Sequence, residues 1–238
     1  MPDRQAMLQE LGLTPIWRLR RRPAGVGSEV EDAARPPATA MPEPAPADRA
    51  ARIARLAWED LANDVSACTA CALCKTRQKA VPGVGDRRAE WLFIGEAPGA
   101  EEDAKGEPFV GQAGRLLDNM LAAIGLKRGE NVYICNVLKC RPPGNRNPEP
   151  GEVAKCTPFL LRQIELIGPK LIVAMGRFAA QTLLDSDASI ASMRGRVHRY
   201  AGVPLIVTYH PAYLLRSLPD KAKAWEDLVF ARKTMSAL

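Results

Sequence analysis

Four short apolar runs recur along the chain, at residues 91–94, 132–138, 171–176 and 204–209. Between and after them, hydrophobic residues return at three- and four-residue spacing, which is the pattern of amphipathic helices, at 115–125, 152–167, 177–184 and 219–237. Short uninterrupted apolar runs are typical of strands that are covered on both faces, as in a parallel sheet. The alternation therefore predicts a three-layer α/β/α sandwich with a central four-stranded parallel sheet.

The first 49 residues show a different pattern. Residues 4–22 combine scattered apolar side chains with four arginines within five positions, and residues 23–49 are rich in Pro and Ala without periodicity. The Pro- and Ala-rich stretch at 23–49 cannot bury enough apolar surface to order itself. We therefore predict a short amphipathic, basic head at 1–22, a flexible linker at 23–49 and one domain at 50–238. The head is either a marginal helix that packs on its own domain or a peptide that docks another protein or DNA.

Composition narrows the class of protein. A hydrophobic content of 47% with 25% charged residues is that of a soluble globular protein. No apolar run approaches 18 residues and no signal peptide opens the chain, so we expect a cytoplasmic protein, acting at the nucleoid, with no membrane partner. Residues 1–49 hold seven Arg and seven Asp or Glu, so the net charge of +6 belongs to the domain. A basic domain suggests a polyanionic partner such as nucleic acid.

Cysteines occur at positions 68, 71, 74, 135, 140 and 156. In a chain expected to be intracellular, this number points to metal binding or catalysis before disulfides. A zinc ribbon would show two CxxC pairs, whereas here only the amino-terminal end has one, which favours an iron–sulfur cluster. The spacing leaves two choices for the first pair, 68/71 or 71/74. Cys135 falls inside a predicted strand and is expected to be a small buried hydrophobic residue.

Unusual polar residues follow the predicted strands. Glu96 comes after the first strand, with Phe109 in the loop beyond it, Asn136 ends the second, and His210 follows the fourth. The carboxyl ends of parallel strands meet at one edge of the sheet, where open α/β sheets place their ligands. Asn can read a nucleobase edge and His can stabilise charge on a leaving group. There is no GK[ST] sequence, so the site suits a base or sugar better than a triphosphate.

Four motifs, in this order and spacing, are GEAPGAEED, GEPFVGQAGRLLD, YICNVLKCRPPGNRNPEPGE and TYHPAYLLR. Together they resemble the family 4 uracil-DNA glycosylases, the iron–sulfur type found in bacteria and archaea. The resemblance runs from about residue 68 to residue 228 and does not cover the first 50 residues. It implies a DNA repair enzyme that flips uracil out of DNA, hydrolyses its N-glycosidic bond and leaves an abasic site.

The resemblance also implies roles for individual residues. Glu96 would position or activate the attacking water, Phe109 would stack on the uracil, and Asn136 would hydrogen-bond its edge. His210 would stabilise the negative charge of the departing base. Glu102 would help to close the pocket against the methyl group of thymine. Ala97, which would also line the uracil site, departs from many members of the family, in which the turn often has Gly.

The same resemblance selects the ligands of a [4Fe–4S] cluster. The family's pattern is a CxxC, 68 residues, a Cys, 15 residues and a Cys. This selects Cys68, Cys71, Cys140 and Cys156 and leaves Cys74 as a spare.

Four basic residues near these motifs are candidates for contacts with DNA phosphates: Lys139, Arg141, Arg146 and Arg216. Two other interpretations stay open at the level of sequence. One is a catalytically silent iron–sulfur nucleic-acid sensor, and the other is a structural protein stapled by zinc.

Overall fold

A computed structural model describes residues 46–238 of the chain. The predicted head and most of the predicted linker lie outside the described residues. The described helices are Pro46–Ile53 (α1), Trp58–Ala67 (α2), Ala100–Lys105 (α3), Gln112–Ala123 (α4), Pro150–Ile167 (α5), Arg177–Leu184 (α6), Ile190–Met193 (α7), Pro211–Leu214 (α8) and Asp220–Met235 (α9). The described strands are Val84–Gly85 (β1), Trp91–Gly95 (β2), Val132–Asn136 (β3), Leu171–Met175 (β4), His198–Tyr200 (β5) and Val203–Thr208 (β6).

The six strands form one sheet in the order β1-β3-β2-β4-β6-β5. The four inner strands pair in parallel, and each matches one of the four apolar runs of the sequence. The two outer strands are antiparallel to their neighbours and add to the predicted four. The predicted parallel core is thus confirmed, and the structure extends it by a short strand at each edge.

Alternate residues of β2 pack against helices on opposite faces of the sheet, which gives the three layers of the sandwich. Trp91 and Phe93 pack in the core cluster that includes residues of α4 and α9, on one face of the sheet. Leu92 and Ile94 pack in the cluster that includes residues of α5 and α6, on the other face. Both faces of the strand are buried because helices cover both sides, which is why the run has no polar alternation.

The amino-terminal boundary of the domain differs from the predicted one. Helix α1 begins at Pro46, four residues before the predicted start at residue 50. Arg49, assigned to the linker from composition, is 9% exposed, and its guanidinium lies 5.0 Å from the centre of the Phe159 ring in α5. The end of the predicted linker is therefore part of the folded domain. None of the helices within residues 46–238 has the length and apolar character needed to cross a membrane.

Candidate active site

A cavity of about 850 Å³ opens where the carboxyl ends of the inner strands meet. Its wall contains all five residues of the predicted uracil site, namely Glu96, Ala97, Phe109, Asn136 and His210, and it also contains Glu102. Gly176 and Arg177, which directly follow β4, complete the edge of the sheet. Arg177 was not predicted as a site residue, although a basic residue directly after a predicted strand is a signal for one.

Asn136 offers an unused hydrogen-bonding group at the base of the cavity. Its side chain is 1% exposed, and its Oδ1 atom is buried without a hydrogen-bond partner among the described residues. A buried polar atom of this kind costs free energy unless a ligand satisfies it. The cavity reaches Asn136 because Gly95, opposite it on β2, has no side chain. A Cβ at residue 95 would lie 2.4 Å from Oδ1 of Asn136 and 2.6 Å from Cζ of Phe109.

Phe109 forms an aromatic wall of the cavity in a constrained backbone conformation. Its φ is +54°, in the left-handed region that non-glycine residues rarely adopt, and the ring is 6% exposed. Its backbone packs so closely on α4 that a Cβ at Gly114 would lie 1.8 Å from its carbonyl oxygen. Arg128 donates to that same oxygen at 2.9 Å. The ring is therefore fixed in position before any ligand arrives.

Glu102 braces the loop that carries Phe109. One carboxylate oxygen accepts hydrogen bonds from the backbone N–H groups of Val110 and Gly111, at 3.0 and 3.3 Å. The other accepts from Gly99 at 3.1 Å. The carboxylate thus joins the turn before α3 to the loop after it. The family resemblance predicts that Glu102 helps to close the pocket against the thymine methyl group, and in the structure its carboxylate also braces this loop.

His210 presents a defined face to the cavity. The backbone N–H of Ala212 donates to its Nδ1 atom at 3.1 Å, so the proton of the neutral ring lies on Nε2. Burial lowers the pKa of His210 to about 4, although Glu102 opposes this shift. The ring centre lies 5.4 Å from that of Phe109, with 31° between the planes. Gly176 allows the close approach to β4, since a Cβ there would lie 2.8 Å from the Cβ of His210.

Glu96 has an ionisation suited to neutral pH. Burial raises the pKa of its carboxyl group to about 6, and the charge of Arg177 acts in the opposite direction. The carboxyl group is therefore mostly ionised at pH 7 and about half protonated near pH 6. A carboxylate poised in this way can accept a proton from water.

Lys139, predicted to contact DNA, is instead a core residue, and that part of the prediction is wrong. Its side chain is 1% exposed. The ammonium group donates to the backbone carbonyl of Asn136 at 2.7 Å and to Oε1 of Gln163 at 2.6 Å. Gln163 in turn donates to the carbonyl of Pro82 at 2.7 Å. Burial lowers the pKa of this lysine, and these partners explain how the charge is accommodated.

The other three predicted DNA contacts lie at the surface around the cavity. Arg216 is exposed and lines the cavity. Arg141 is half-buried and donates to Oδ1 of Asn145 at 2.7 Å. Arg146 lines the cavity but is held by both carboxylate oxygens of Glu152, at 2.9 and 2.5 Å. Of the three, only Arg216 has no side-chain hydrogen bond or ion pair within residues 46–238.

The four predicted cluster ligands gather beside the cavity. Cys71, Cys140 and Cys156 pack together, and Ala97 of the cavity wall packs against the same group. Cys68 is close enough to raise the pKa of both Cys71 and Cys140, although burial is the larger cause in each. Cys135 lies in β3 and is fully buried, as predicted. Cys74 is half-buried, and its thiol lies 3.9 Å from the carbonyl of Thr69.

The donor set fits an iron–sulfur cluster, because all four candidate ligands are thiols. They come from three separate segments, namely the CxxC segment after α2, the loop after β3, and α5. Within residues 46–238, no three or more His, Cys, Asp or Glu side chains converge on a single point.

The chain is thus an α/β/α sandwich with an aromatic ring and a buried amide in one cavity at the carboxyl edge of its sheet, where open α/β sheets place their ligands. The chain belongs to the uracil DNA glycosylase superfamily, whose sequence model matches residues 82–229. It is 52% identical over 165 residues to the type-4 uracil-DNA glycosylase of Archaeoglobus fulgidus, a match that covers 66% of this chain and 82% of the relative.

Two further relatives carry the same name. The type-4 uracil-DNA glycosylase of Thermotoga maritima is 48% identical over 167 residues, which is 69% of this chain and 86% of the relative. That of Saccharolobus solfataricus is 42% identical over 186 residues, which is 74% of this chain and 86% of the relative. The resemblance seen in the sequence motifs is confirmed by these matches.

Proposed function

We propose that the protein is a uracil-DNA glycosylase that removes uracil from DNA by hydrolysing the N-glycosidic bond and leaves an abasic site. Membership of the superfamily and the similarity to type-4 enzymes support this activity. The single structural observation that carries it is the buried Oδ1 atom of Asn136, which has no hydrogen-bond partner within residues 46–238 and belongs to a residue lining the same cavity as Phe109 and His210. The relatives named type-4 uracil-DNA glycosylases favour this activity over a catalytically silent sensor.

Recognition begins with extrusion of the nucleotide, since a base inside a duplex cannot reach a buried pocket. Flipping costs a few kcal/mol, and less where pairing is already poor. In the pocket, the Asn136 amide pairs with the uracil edge, because it offers an acceptor and a donor side by side. The ring of Phe109 stacks on the base. Because the ring is already fixed, little additional ordering is needed on binding.

His210 acts on the departing base. Cleavage of the N-glycosidic bond leaves an oxocarbenium-like sugar and an anionic uracil. The Nε2–H group of the neutral His210 donates a hydrogen bond to the oxygen where that charge develops. Because the pKa of His210 is about 4, the imidazole is neutral at neutral pH. The neutral ring still carries a proton on Nε2, so it can donate this hydrogen bond without taking up a second proton.

Glu96 acts on the water. As the bond to the base breaks, the Glu96 carboxylate orients a water molecule and accepts its proton, while the oxygen forms the new bond to the sugar carbon. The hydroxyl group of the water ends on the sugar carbon and its proton on Glu96. Transfer of that proton to the uracil anion through solvent restores the carboxylate and gives uracil and an abasic sugar as the two products. The pKa of about 6 keeps this carboxyl group ionised at neutral pH.

Phosphate contacts come from arginines around the opening. Arg216 and Arg141 are placed to neutralise phosphates of the flipped nucleotide and its neighbours. Arg146, held by Glu152, serves better as a fixed edge of the opening than as a mobile phosphate ligand.

Cys68, Cys71, Cys140 and Cys156 would hold a [4Fe–4S] cluster. Bound there, the cluster supplies four thiolate–iron bonds that staple the segment after α2 to the loop after β3 and to α5. No catalytic step requires it. The cavity wall adjoins this group through Ala97, so stapling also fixes one side of the pocket.

The head, residues 1–22, is proposed to recruit the enzyme to DNA or to a DNA replication or repair protein in the cytoplasm, at the nucleoid. The linker would then raise the effective concentration of the enzyme near its partner. Deletion of residues 1–43 keeps the whole of α1 and should leave excision from a short oligonucleotide within a few-fold of the full chain. The head fused to an inert carrier should capture the partner without the enzyme domain. A truncated protein that is inactive would contradict this arrangement.

The deciding experiment for the function is release of free uracil from DNA oligonucleotides by anaerobically purified protein. Substrates contain uracil opposite guanine, uracil opposite adenine, or uracil in a single strand, with thymine in the same positions as the control. We expect uracil release and an intact, abasic strand. Iron-loaded protein that releases no uracil from any of these substrates would contradict the proposal.

A further inference from the structure

Two arginines reach the sulfur atoms of the proposed cluster ligands. The first is Arg49 in α1. Its Nη2 group donates to Sγ of Cys68 at 3.4 Å, and its Nη1 group donates to the backbone carbonyl of Lys155 at 2.9 Å. Lys155 immediately precedes Cys156 in α5. One guanidinium thus joins the segment of Cys68 to the segment of Cys156.

The second is Arg77, which follows the CxxC segment. Its Nη1 group donates to Sγ of Cys140 at 2.9 Å, and its Nη2 group donates to the backbone carbonyl of Ser66 at 2.5 Å. Ser66 lies two residues before Cys68, near the end of α2. This guanidinium therefore joins the loop of Cys140 to the segment of Cys68.

Both arginines use the two-pronged shape of the guanidinium in the same way. Each places one nitrogen on a cysteine sulfur and the other on the backbone of a different cysteine-bearing segment. A lysine ammonium is a compact point charge without such a fixed fork. A guanidinium beside a cysteine sulfur is also placed to offset the negative charge of a metal-bound thiolate.

We propose that Arg49 and Arg77 hold the cysteine ligands in place and offset the negative charge of the thiolate-held cluster. This rests on the [4Fe–4S] cluster of the proposed function. Both residues precede residue 82, where the superfamily match begins. Helix α1 is then part of the cluster site, because it supplies one of the two charges. Hydrogen bonds to the sulfurs and net charge are the features that set the potential of such clusters.

The first test measures how firmly the full-length protein keeps its iron. Arg49→Ala and Arg77→Gln remove one bridge each, and Arg55→Ala and Lys75→Ala change exposed cations of the same two segments as controls. Iron per chain is determined, followed by the rate at which a chelator bleaches the cluster's visible absorbance. Loss of a group that positions metal ligands typically costs about 10- to 100-fold in metal affinity, so we expect bleaching at least about 10-fold faster. The controls should stay within about two-fold of wild type, as expected for surface changes.

The second test separates electrostatics from loosening of the fold. Arg77→Lys keeps the charge but not the fork, so it should bleach faster than wild type while keeping a near-wild-type reduction potential. Arg77→Gln should favour the oxidised cluster about tenfold, a decrease of about 59 mV for one electron. If Arg49→Ala is isolated without iron, Arg49→Lys provides the bleaching measurement. Wild-type bleaching rates and potentials in all variants would overturn the proposal.

The wild-type protein distinguishes this proposal from the proposed function. Iron-loaded protein without glycosylase activity would refute the function and leave the arginine measurements valid. Active protein that carries no iron would refute the cluster, and the role of the two arginines with it.

Discussion

The backbone N–H of Ala212 donates to Nδ1 of His210 at 3.1 Å, and this contact fixes which ring nitrogen carries the proton. The hydrogen bond is short-range, since only Pro211 separates the two residues. Pro211 disfavours helical backbone angles at His210, which has a ψ of 135°, and so holds the ring in a geometry where Nδ1 can accept. The sequence His-Pro-Ala thus encodes a neutral donor aimed into the cavity.

His210→Ala should lower the single-turnover rate of uracil excision by about 10²- to 10³-fold, the usual effect of removing one donor that stabilises developing negative charge. DNA affinity should change little, because the donor acts mainly after the bond begins to break. His198→Ala is the control, since the second histidine lies in β5 and bonds to the carbonyl of Met193. Similar losses in the two variants would contradict the assigned role.

The rate of excision should depend on the ionisation of Glu96. Burial raises its pKa to about 6, so the rate should fall about tenfold for each pH unit below 6 as the base becomes protonated. Arg177→Gln removes the cation that favours the ionised form and should move the midpoint to higher pH. Single-turnover rates between pH 5 and 8 provide the measurement. Arg177→Lys should keep the wild-type midpoint, and the exposed Arg196→Gln is the control.

A rate that does not vary over this pH range would contradict the assignment of Glu96 as the base. An unchanged midpoint in Arg177→Gln would show that Arg177 does not act on Glu96 in the working enzyme.

Gly95→Ala should block the uracil pocket without removing any functional group. The added methyl would lie 2.4 Å from Oδ1 of Asn136, a distance that forces the amide or the Phe109 ring to move. Displacement of about 1 Å at a reacting site costs about 10²-fold in rate. Gly151→Ala is the matched control, because its Cβ would meet no atom within 4 Å and its φ is not positive. Normal excision by Gly95→Ala would place the base elsewhere in the cavity.

Glu102→Gln should loosen the loop that carries Phe109. An amide has a single acceptor oxygen, so it cannot satisfy the N–H groups of Gly99 and of Val110 and Gly111 together. We expect a lower kcat/KM for uracil and a smaller preference for uracil over thymine, measured on oligonucleotides that differ only in this base. Glu107→Gln, at an exposed position of the same loop, serves as the control. An unchanged preference would mean that Glu102 does not guard the pocket.

The choice of cluster ligands is tested by iron content. Cys140→Ala should lose the cluster, whereas Cys74→Ala and Cys135→Ala should keep it. Cys135 is fully buried in β3, and Cys74 lies outside the predicted ligand set. Iron per chain after anaerobic purification decides the matter. A Cys74 variant without iron would mean that the 71/74 pair is used.

Much of the fold could be predicted because the inner strands are buried on both faces and therefore read as continuous apolar runs. The edge strands left no such signal. Val84–Gly85 is too short to show a period, and His198–Tyr200 is partly exposed and holds a charged residue. Glu96, Asn136 and His210, which end or follow three of the inner strands, line one cavity because parallel strands point their carboxyl ends the same way.

What the sequence could not show depends on partners that are distant along the chain. Lys139 looks like part of a basic loop, but Gln163, 24 residues away, accepts a hydrogen bond from its ammonium group in the core. Arg49 lies at the end of a Pro- and Ala-rich stretch that reads as a linker. Its guanidinium nevertheless donates a hydrogen bond to the backbone carbonyl of Lys155, 106 residues away. Local pattern carries no information about such pairings, so the sequence predicts a DNA contact for Lys139 and a flexible linker position for Arg49.

The short outer strands of the sheet also bear on how the protein behaves in a crowded cell. A parallel sheet that ended on a long inner strand would expose a row of free N–H and C=O groups, to which another chain could add. Here β1 has two residues and β5 has three, and each runs against its neighbour. Such brief edges offer almost no template for cross-chain pairing. The sheet is thereby protected against edge-to-edge aggregation at no cost to the strands that build the pocket.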